Sequence, residues 1–598
     1  MSSSEIVSKG LVTFSITIEG NKIPDSYGII SIKIERSVNR ISSCTVLVEE
    51  QMGTDSYFKV SASDNFVPGK KISIEVGYDC TNKEIFKGIV TKQSVRVDSE
   101  LGPTVEVSCK DESIQMTAGR KSVSYVKSTD SDAITKIIGN YSTLTADVTS
   151  TSQTLPIIQQ YYTTDWDFML SRAEVNGMII TTIDGKVSVF APDKSTASVL
   201  KLQYGDNLIS FNADLNSISQ LAKVTASAWD DKTQALITGD ASNDSAGAGN
   251  ITSKTLSDVS GLADFTLQTT AAEDKDNLTN WAKAQMIKSE YSKITGTASF
   301  QGTGLVLPGT YLTVADMGAR FNGDYIVSGV QHEIRSGEWI TTAELGISPQ
   351  WFTESQSDIS APSASGLLPG VQGLFNATVK KAYDDPDDGF RVKVDLPLFD
   401  QSGEGLWARM VNNYSTDGAG IFFFPEEGDE VIVGFLNDDP RYPVILGSVY
   451  SKKMKPFSDL TPDDKNSKKA IVTKSKLQLE FNDEDKVITL VTPGKNTIVL
   501  DDKNKKITIK DQNDNSIETS DSGIEIKSSK AISIESDKSI TLKGSDGVKI
   551  ESSSGDVSMK GSNIKQEAEQ ELSLKGSTKA SIEGGSELIV KGAMVKIN

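Results

Sequence analysis

The chain has 598 residues, 37% of them hydrophobic and 24% charged, and a formal charge of −20. At roughly 100–200 residues per domain this length implies about three to five units, and no apolar run approaches the ~18–20 residues that span a bilayer. The acidic balance speaks against nucleic acid, whose phosphates are met by Lys and Arg, and against docking on anionic headgroups by charge alone. A single histidine, His332, leaves any His-based metal site or Ser-His-Asp triad one residue to draw on. Three cysteines, Cys44, Cys80 and Cys109, form no CxxC pair and are expected as buried small hydrophobes in a reducing cytoplasm. The start, MSSSEIVSKG, carries neither a basic nor an apolar signal region, so synthesis in the cytoplasm without a signal peptide is expected.

From Leu11 to about Gly119 the chain alternates in short runs such as Lys71-Ile72-Ser73-Ile74-Glu75-Val76, the pattern of half-buried antiparallel strands. Asp130 to Ile138 and Trp166 to Asn176 carry helical spacing instead, the second ended by Asn176-Gly177. Strands return from Gly205 to Trp351, with one helix around Leu278 to Tyr291. The Ser/Asp/Gly/Ala-rich stretch Thr238–Ile251 predicts a surface loop. Glu354 to Pro369 forms an interdomain linker; a compact β-rich unit, Val371 to Tyr450, follows, and a charged linker, Lys452 to Lys469, leads into the last segment.

That segment has no aromatic residue after Phe481 and no proline after Pro493. Aliphatic pairs separated by one residue recur every eight residues at Ile524/Ile526, Ile532/Ile534, Ile540/Leu542 and Val548/Ile550. Leu572/Leu574 continues the phase, and Leu588/Val590 falls in the same repeat. Near 556 the pair slips by one to Val557 and Met559, the mark of a bulge, and Gln566 and Ala580 break the pattern. One such chain cannot bury enough apolar area to offset its ordering entropy, whereas stacked or interwound copies make a continuous interior. These twelve aliphatic residues are the expected core of a slim trimeric needle. At the ~4.8 Å strand spacing, one layer per octad gives roughly 40 Å.

Several strings resemble the VgrG-type spike proteins of contractile injection systems, which fuse the hub and spike of contractile phage tails. Glu84-Ile85-Phe86-Lys87-Gly88-Ile89-Val90 is similar to the family's Phe-x-Gly-Ile-Val strand. The stretch Asp165 to Gly177 (DWDFMLSRAEVNG) is similar to its Trp-Asp-Phe helix, and Pro308-Gly309, Arg320 to Tyr325 and Val330-Gln331-His332 to its closing barrel. Gly389 to Val394, Leu406 to Arg409, Phe424 to Phe435 (FPEEGDEVIVGF), Asp438-Asp439-Pro440 and Pro443 to Tyr450 resemble the spike's OB-type barrel.

The resemblance implies a mainly β homotrimer. Residues 1–353 would form a phage-hub-like domain, with two β-barrels (10–120 and 205–350) flanking an α/β segment (121–204). A linker (354–370), an OB-fold domain (371–452), a second linker (453–470) and a triple-stranded intertwined β-helix needle (471–598) would follow. It also implies the partners: an inner-tube (Hcp-like) protein and baseplate proteins at the hub, and a PAAR-type tip protein on Met594, Val595, Ile597 and Asn598. Effectors would ride as cargo and contact with the target membrane would be transient; no nucleic acid and no cofactor is implied. Neither a lysozyme-like nor an effector domain is expected, so puncture would be mechanical and the protein not an enzyme. The absent "E-E-G-I-Y-Y" wording of many type VI spikes tilts the reading toward an extracellular or divergent subtype. The competing reading is a surface adhesin or hydrolase with a β-repeat stalk.

Asp384-Asp385-Pro386-Asp387-Asp388-Gly389 lacks EF-hand spacing and reads as a solvated turn. Asp165 and Asp167, two apart on a helix, point to different faces and suit its first turn rather than a catalytic pair. His332 reads as a structural residue near Trp339.

Overall fold

Alternation of β-branched and polar residues sets most of the first unit. In Lys71–Tyr78, Ile72, Ile74 and Val76 are buried while Lys71 and Glu75 stay exposed, as a sheet with one solvated face requires. The computed structural model describes residues 10–50, 58–99, 102–243, 247–271, 273–399, 402–460 and 462–597. Two units are separable, 1–449 and 450–598, and each is taken alone.

Among the described residues, thirteen strands of the first unit form one sheet. From Leu208–Leu215 its main path runs through Ile294–Gln301, Glu338–Leu345, Gly323–Arg335, Ile29–Ser37 and Ser43–Glu49. It continues through Gly102–Lys110, Thr81–Asp98, Lys71–Tyr78 and Val12–Ile18 to Asn21–Lys22. The joint is the antiparallel pairing of Ile29–Ser37 with Gly323–Arg335, Ile34 opposite His332, so residues expected in two separate barrels share one hydrogen-bonded sheet. Two cores lie against it. The first contains Ile32, Ile34, Phe66, Ile74 and Phe86, with Trp339 arriving from the C-terminal half. The second contains Leu202, Phe300, Leu312, Val327 and Leu345.

One cysteine departs from expectation. Asp79 and Cys80 occupy the turn between Lys71–Tyr78 and Thr81–Asp98 with φ of 49° and 64°, the conformation whose twist suits a two-residue hairpin. That places Cys80 in solvent, whereas Cys44 and Cys109 are buried and face each other across neighbouring strands.

The α/β segment holds the helices Asp130–Gly139 and Asp165–Val175, with the Thr129 and Thr164 hydroxyls accepting from the amides of Asp132 and Asp167 at 3.1 and 3.0 Å, the preferred N-cap arrangement. Asp165 is buried in the first turn of its helix. It accepts from Gln160 Nε2 (2.9 Å), Lys121 Nζ (2.5 Å) and the Tyr141 hydroxyl (2.7 Å). Burial alone would raise its pKa, but these bonds hold it below the ordinary carboxylate value.

The stretch 238–251 is not one loop. Ala235–Ser242 is a strand paired with Lys223–Asp230, and residues 244–246 lie outside the described residues. The small residues that suggest a loop serve close packing instead: a Cβ on Gly239 would sit 2.3 Å from the backbone nitrogen of Thr279, in the helix Lys275–Tyr291.

A closed barrel follows, built from Phe375–Lys381, Arg391–Asp395, Leu406–Met410, Pro443–Ser448 and Glu430–Phe435 around Val392, Val394, Val431, Val433 and Ile445. The stretch leading into it is strapped down. The Arg120 guanidinium donates to the carbonyls of Asp358, Ile359 (3.3 Å) and Ser360 (2.7 Å), and Ser363 Oγ donates to Asp438 (2.9 Å).

Among the described residues of the second unit seven strands follow one another as an antiparallel meander: Lys468–Val472, Gln478–Asn482, Val487–Val491, Thr497–Asp501, Lys506–Lys510, Ser516–Ser520 and Gly523–Lys527. From Ser528 to Ile597 no strand is formed within the chain.

Gly239→Ala is expected to cost about 1–3 kcal/mol, the usual range for overpacking. Gly447→Ala, whose Cβ would meet nothing within 4 Å, should be near neutral; urea unfolding of the two variants measures the difference.

Candidate functional site

The meander's register places its aliphatic residues on one face. Successive cross-strand partners form a column, Ile471–Leu479–Leu490–Ile498–Ile509–Ile517–Ile526. Two residues along each strand, on the same side of the pleat, runs Phe481–Ile488–Leu500–Ile507–Thr519–Ile524. The opposite face carries Ala470, Glu480, Thr489, Val499, Thr508, Glu518 and Glu525. The sheet is therefore two-faced, apolar on one side and mostly polar on the other.

The chain does not bury this apolar face. Leu490, Ile498, Leu500 and Ile509 are each about 40% exposed (42%, 38%, 40% and 45%), and a groove of about 780 Å³ runs along the first column. At roughly 1.5–3 kcal/mol per fully buried aliphatic side chain, a row of this length exposed to water is unfavourable by far more than one turn or ion pair offsets. Such contiguous apolar patches mark interaction surfaces.

The expected needle residues fall in two settings. Ile524 and Ile526 belong to the last meander strand, where Ile526 faces Ile517; Ile532 lines the same groove. Ile534, Ile540, Leu542, Val548, Ile550, Leu572, Leu574, Leu588 and Val590 lie in the stretch without intrachain strands, all exposed. In each of these pairs from 532 on, the first member is the less exposed, as with Ile540 (52%) and Leu542 (69%). Met594, Val595 and Ile597 are also exposed; Asn598 lies outside the described residues.

The other candidate groups form closed local structures. Asp385 accepts from Arg391 Nη2 (2.5 Å) and from the amides of Gly389 (2.9 Å) and Arg391 (3.1 Å). The Arg391 guanidinium is the main reason its carboxyl lies far below the usual range. The acidic stretch is thus a turn braced by an arginine, a partner that spacing alone did not reveal. His332 is fully enclosed, its Nδ1 2.9 Å from Thr341 Oγ1 and 3.4 Å from Trp339 Nε1. Burial, with the nearby Arg36 charge, pushes its pKa down to about 3, so the ring is neutral. Sequence reasoning missed the Glu174–Lys288 pair (2.7 Å), buried between two helices. Glu174 also accepts from the amide of Phe352 (2.7 Å), and Lys288 donates to the carbonyl of Gln350 (2.9 Å). Among the described residues no group of three or more His, Cys, Asp or Glu is placed to hold a metal, and no helix is long and apolar enough to cross a membrane.

Three family models match the chain in sequence order. The Alg8 N-terminal domain covers residues 8–336, more than half of the chain. The type VI secretion system/phage-baseplate injector OB domain covers 375–450 and the phage baseplate V C-terminal trimerisation domain 487–598. The chain belongs to the Alg8 N-terminal domain family and to the VgrG-type spike proteins. Among curated VgrG-type relatives, the spike protein VgrG3 of Vibrio cholerae is 30% identical over 125 residues, 20% of this chain and 12% of that protein. VgrG1a of Pseudomonas aeruginosa is 31% identical over 143 residues, 22% of each chain. The chain spans no more than about a fifth of the length of these relatives. Solved structures with a likeness include the 43 kDa tail protein of prophage MuSo2 from Shewanella oneidensis (TM-score 0.44, 14% identity, 56% of this chain and 98% of that one). Another is the E. coli c3393 protein, a component of the type VI secretion system (TM-score 0.37, 14% identity, 73% and 99%). The trimerisation-domain match begins at Val487 and so takes in five of the seven meander strands together with the whole octad stretch.

The buried neutral His332 gives a signed pH dependence. Its folded pKa lies below the ordinary value of 6.5, so the unfolded chain takes up the proton first, and stability present above about pH 6.5 declines as pH falls toward 3. A His332→Gln variant should show a shallower decline of melting temperature between pH 6.5 and 4 than the parent; parallel curves would remove His332 from the acid response.

Proposed function

We propose that the chain is the central spike and hub of a contractile injection machine: three copies join through the second unit, and the assembly punctures a target envelope mechanically to deliver effectors. The observation that carries this reading is the apolar face of the meander, continued by octads that form no strand within their own chain, in the residues matched by a trimerisation domain. Three such faces turned toward one axis make a dry interior, and the polar faces, with lysines at the turns, make a solvated exterior.

The remaining parts take supporting roles. The hub sheet seats on an inner-tube protein and baseplate partners, the closed barrel hands three chains on to the needle, and Met594, Val595 and Ile597 receive a separate tip protein. No catalytic step is part of this function. The matched curated relatives are named spike proteins, and the candidate carboxylates are engaged within the chain: Asp165 by Gln160, Lys121 and Tyr141, Asp167 by the Thr164 hydroxyl and Asp385 by Arg391. The particle leaves the cell as an assembled whole, free or tethered.

Light scattering of the full chain should give three times the 64.4 kDa chain mass, in a form that resists detergent at room temperature. A monomer at micromolar concentration would overturn the reading. Ile532→Asp or Ile498→Asp, each placing three unpaired carboxylates on a dry axis, should abolish the trimer. Glu518→Lys, on the polar face, should leave it intact.

A further inference from the structure

The first unit carries a second groove, separate from the apolar face of the meander. It encloses about 820 Å³ between the strand Leu155–Thr163, the helix Lys275–Tyr291 and the turn after Lys223–Asp230. Its floor is apolar, with Ile157, Phe168, Leu278 and Trp281. Its rim is acidic: Asp230, Asp231, Glu273 and Asp274 line it against Lys232 and Arg172, and Arg172 is already held by the two oxygens of Asp130 at 2.7 and 2.9 Å. Three excess negative charges therefore surround an apolar trough.

Three further observations say what fits there. The five consecutive residues Leu155 to Gln159 all line the groove, so it follows the backbone of that strand and not one face of it. Among the described residues this strand pairs only with Lys121–Ser128, in a two-stranded sheet, so its other edge carries no paired strand. Pro156, which has no N–H, marks it as an edge strand, and an added strand would pair through the residues on either side of it. Just before the groove-lining Thr154, Gln153 donates its amide to Asp274, tying the start of the strand to the carboxylate rim. Ile157 is 55% exposed at the centre of the run.

We propose that this groove binds an extended, basic and apolar segment of a partner polypeptide by strand addition. Its backbone would pair with the unpaired edge of Leu155–Thr163, its aliphatic side chains would enter the trough over Trp281, and its lysines or arginines would meet the carboxylate rim. Main-chain pairing supplies affinity in such a mode, and alternate side chains supply specificity. The site is independent of copy-to-copy assembly through the second unit, so it stands or falls separately from the spike reading.

The test uses the full chain and a fluorescein-labelled octapeptide of alternating lysine and valine, followed by anisotropy. Controls are the lysine–serine and glutamate–valine octapeptides. Saturable binding of the lysine–valine peptide is expected, at least tenfold tighter than either control, with slowed amide exchange across residues 154–159. Asp231→Lys/Glu273→Lys should weaken it at least tenfold, while the remote reversal Asp206→Lys/Asp258→Lys should not. If the first variant fails to fold, Asp231→Asn/Glu273→Gln should still weaken binding several-fold. Absence of saturable binding, equal weakening by the remote reversal, or equal binding of the lysine–serine peptide would overturn the proposal. Loss of the oligomer in Asp231→Lys/Glu273→Lys would do so too, because the groove would then be covered by a second copy.

Discussion

A β-strand sends alternate side chains to opposite faces, and in the second unit this geometry leaves a full sheet face of Ile and Leu without cover from its own chain. Every other property of that unit is subordinate to this constraint. The strands are five residues long, two columns wide on the apolar side, and closed by tight turns. A strand shifted by one residue would turn its aliphatic residues outward and its glutamates and threonines inward, so the register is specified at each of the six turns. Aromatic rings end at Phe481; beyond it the two columns are aliphatic except for Thr519.

The first unit solves a different problem, keeping a long chain in one piece. The Glu174–Lys288 pair lies between two helices far apart in sequence and also holds the backbone at Gln350 and Phe352, where the chain leaves the hub. Removing either partner would strand a buried charge, a far larger loss than that of a surface ion pair. Arg120 continues the restraint over Asp358–Ser360, and Ser363 with Asp438 completes it at the barrel. A stretch whose Ser/Pro/Gly composition reads as a pliant tether is therefore held at several points along its length.

Local patterns were legible and distant ones were not. The helices at 130–139 and 165–175, the strand character of the hub, the helix near 278–291 and the aliphatic octads all follow from spacing within about ten residues. The pairing of Ile34 with His332 left no trace in spacing, because register between strands 298 residues apart is decided by the whole core. Thr238–Ser242 was misread because small residues look alike whether they serve a loop or let a helix approach a strand, and only Thr279 behind Gly239 tells them apart. Cys80 went astray for a related reason: a turn needing two positive φ angles overrides the burial preference of a thiol. At the candidate site the aliphatic alternation was visible, but the division between a self-paired meander to Lys527 and an unpaired stretch after it was not. Both are written in the same Ile-x-Ile vocabulary, and only the turn residues between bursts distinguish them.

The two kinds of pairing have unequal kinetics. Each meander strand meets its predecessor after a turn of a few residues, which closes quickly and with little loss of chain entropy. The hub sheet cannot close until Gly323–Arg335 has emerged to meet Ile29–Ser37, a slow, non-local event. Because synthesis runs from the amino terminus, the slow part has its full length available while the fast, adhesive part is still within the ribosome. The apolar face therefore becomes available last, and each chain can complete its hub before it has a surface with which to hold its neighbours.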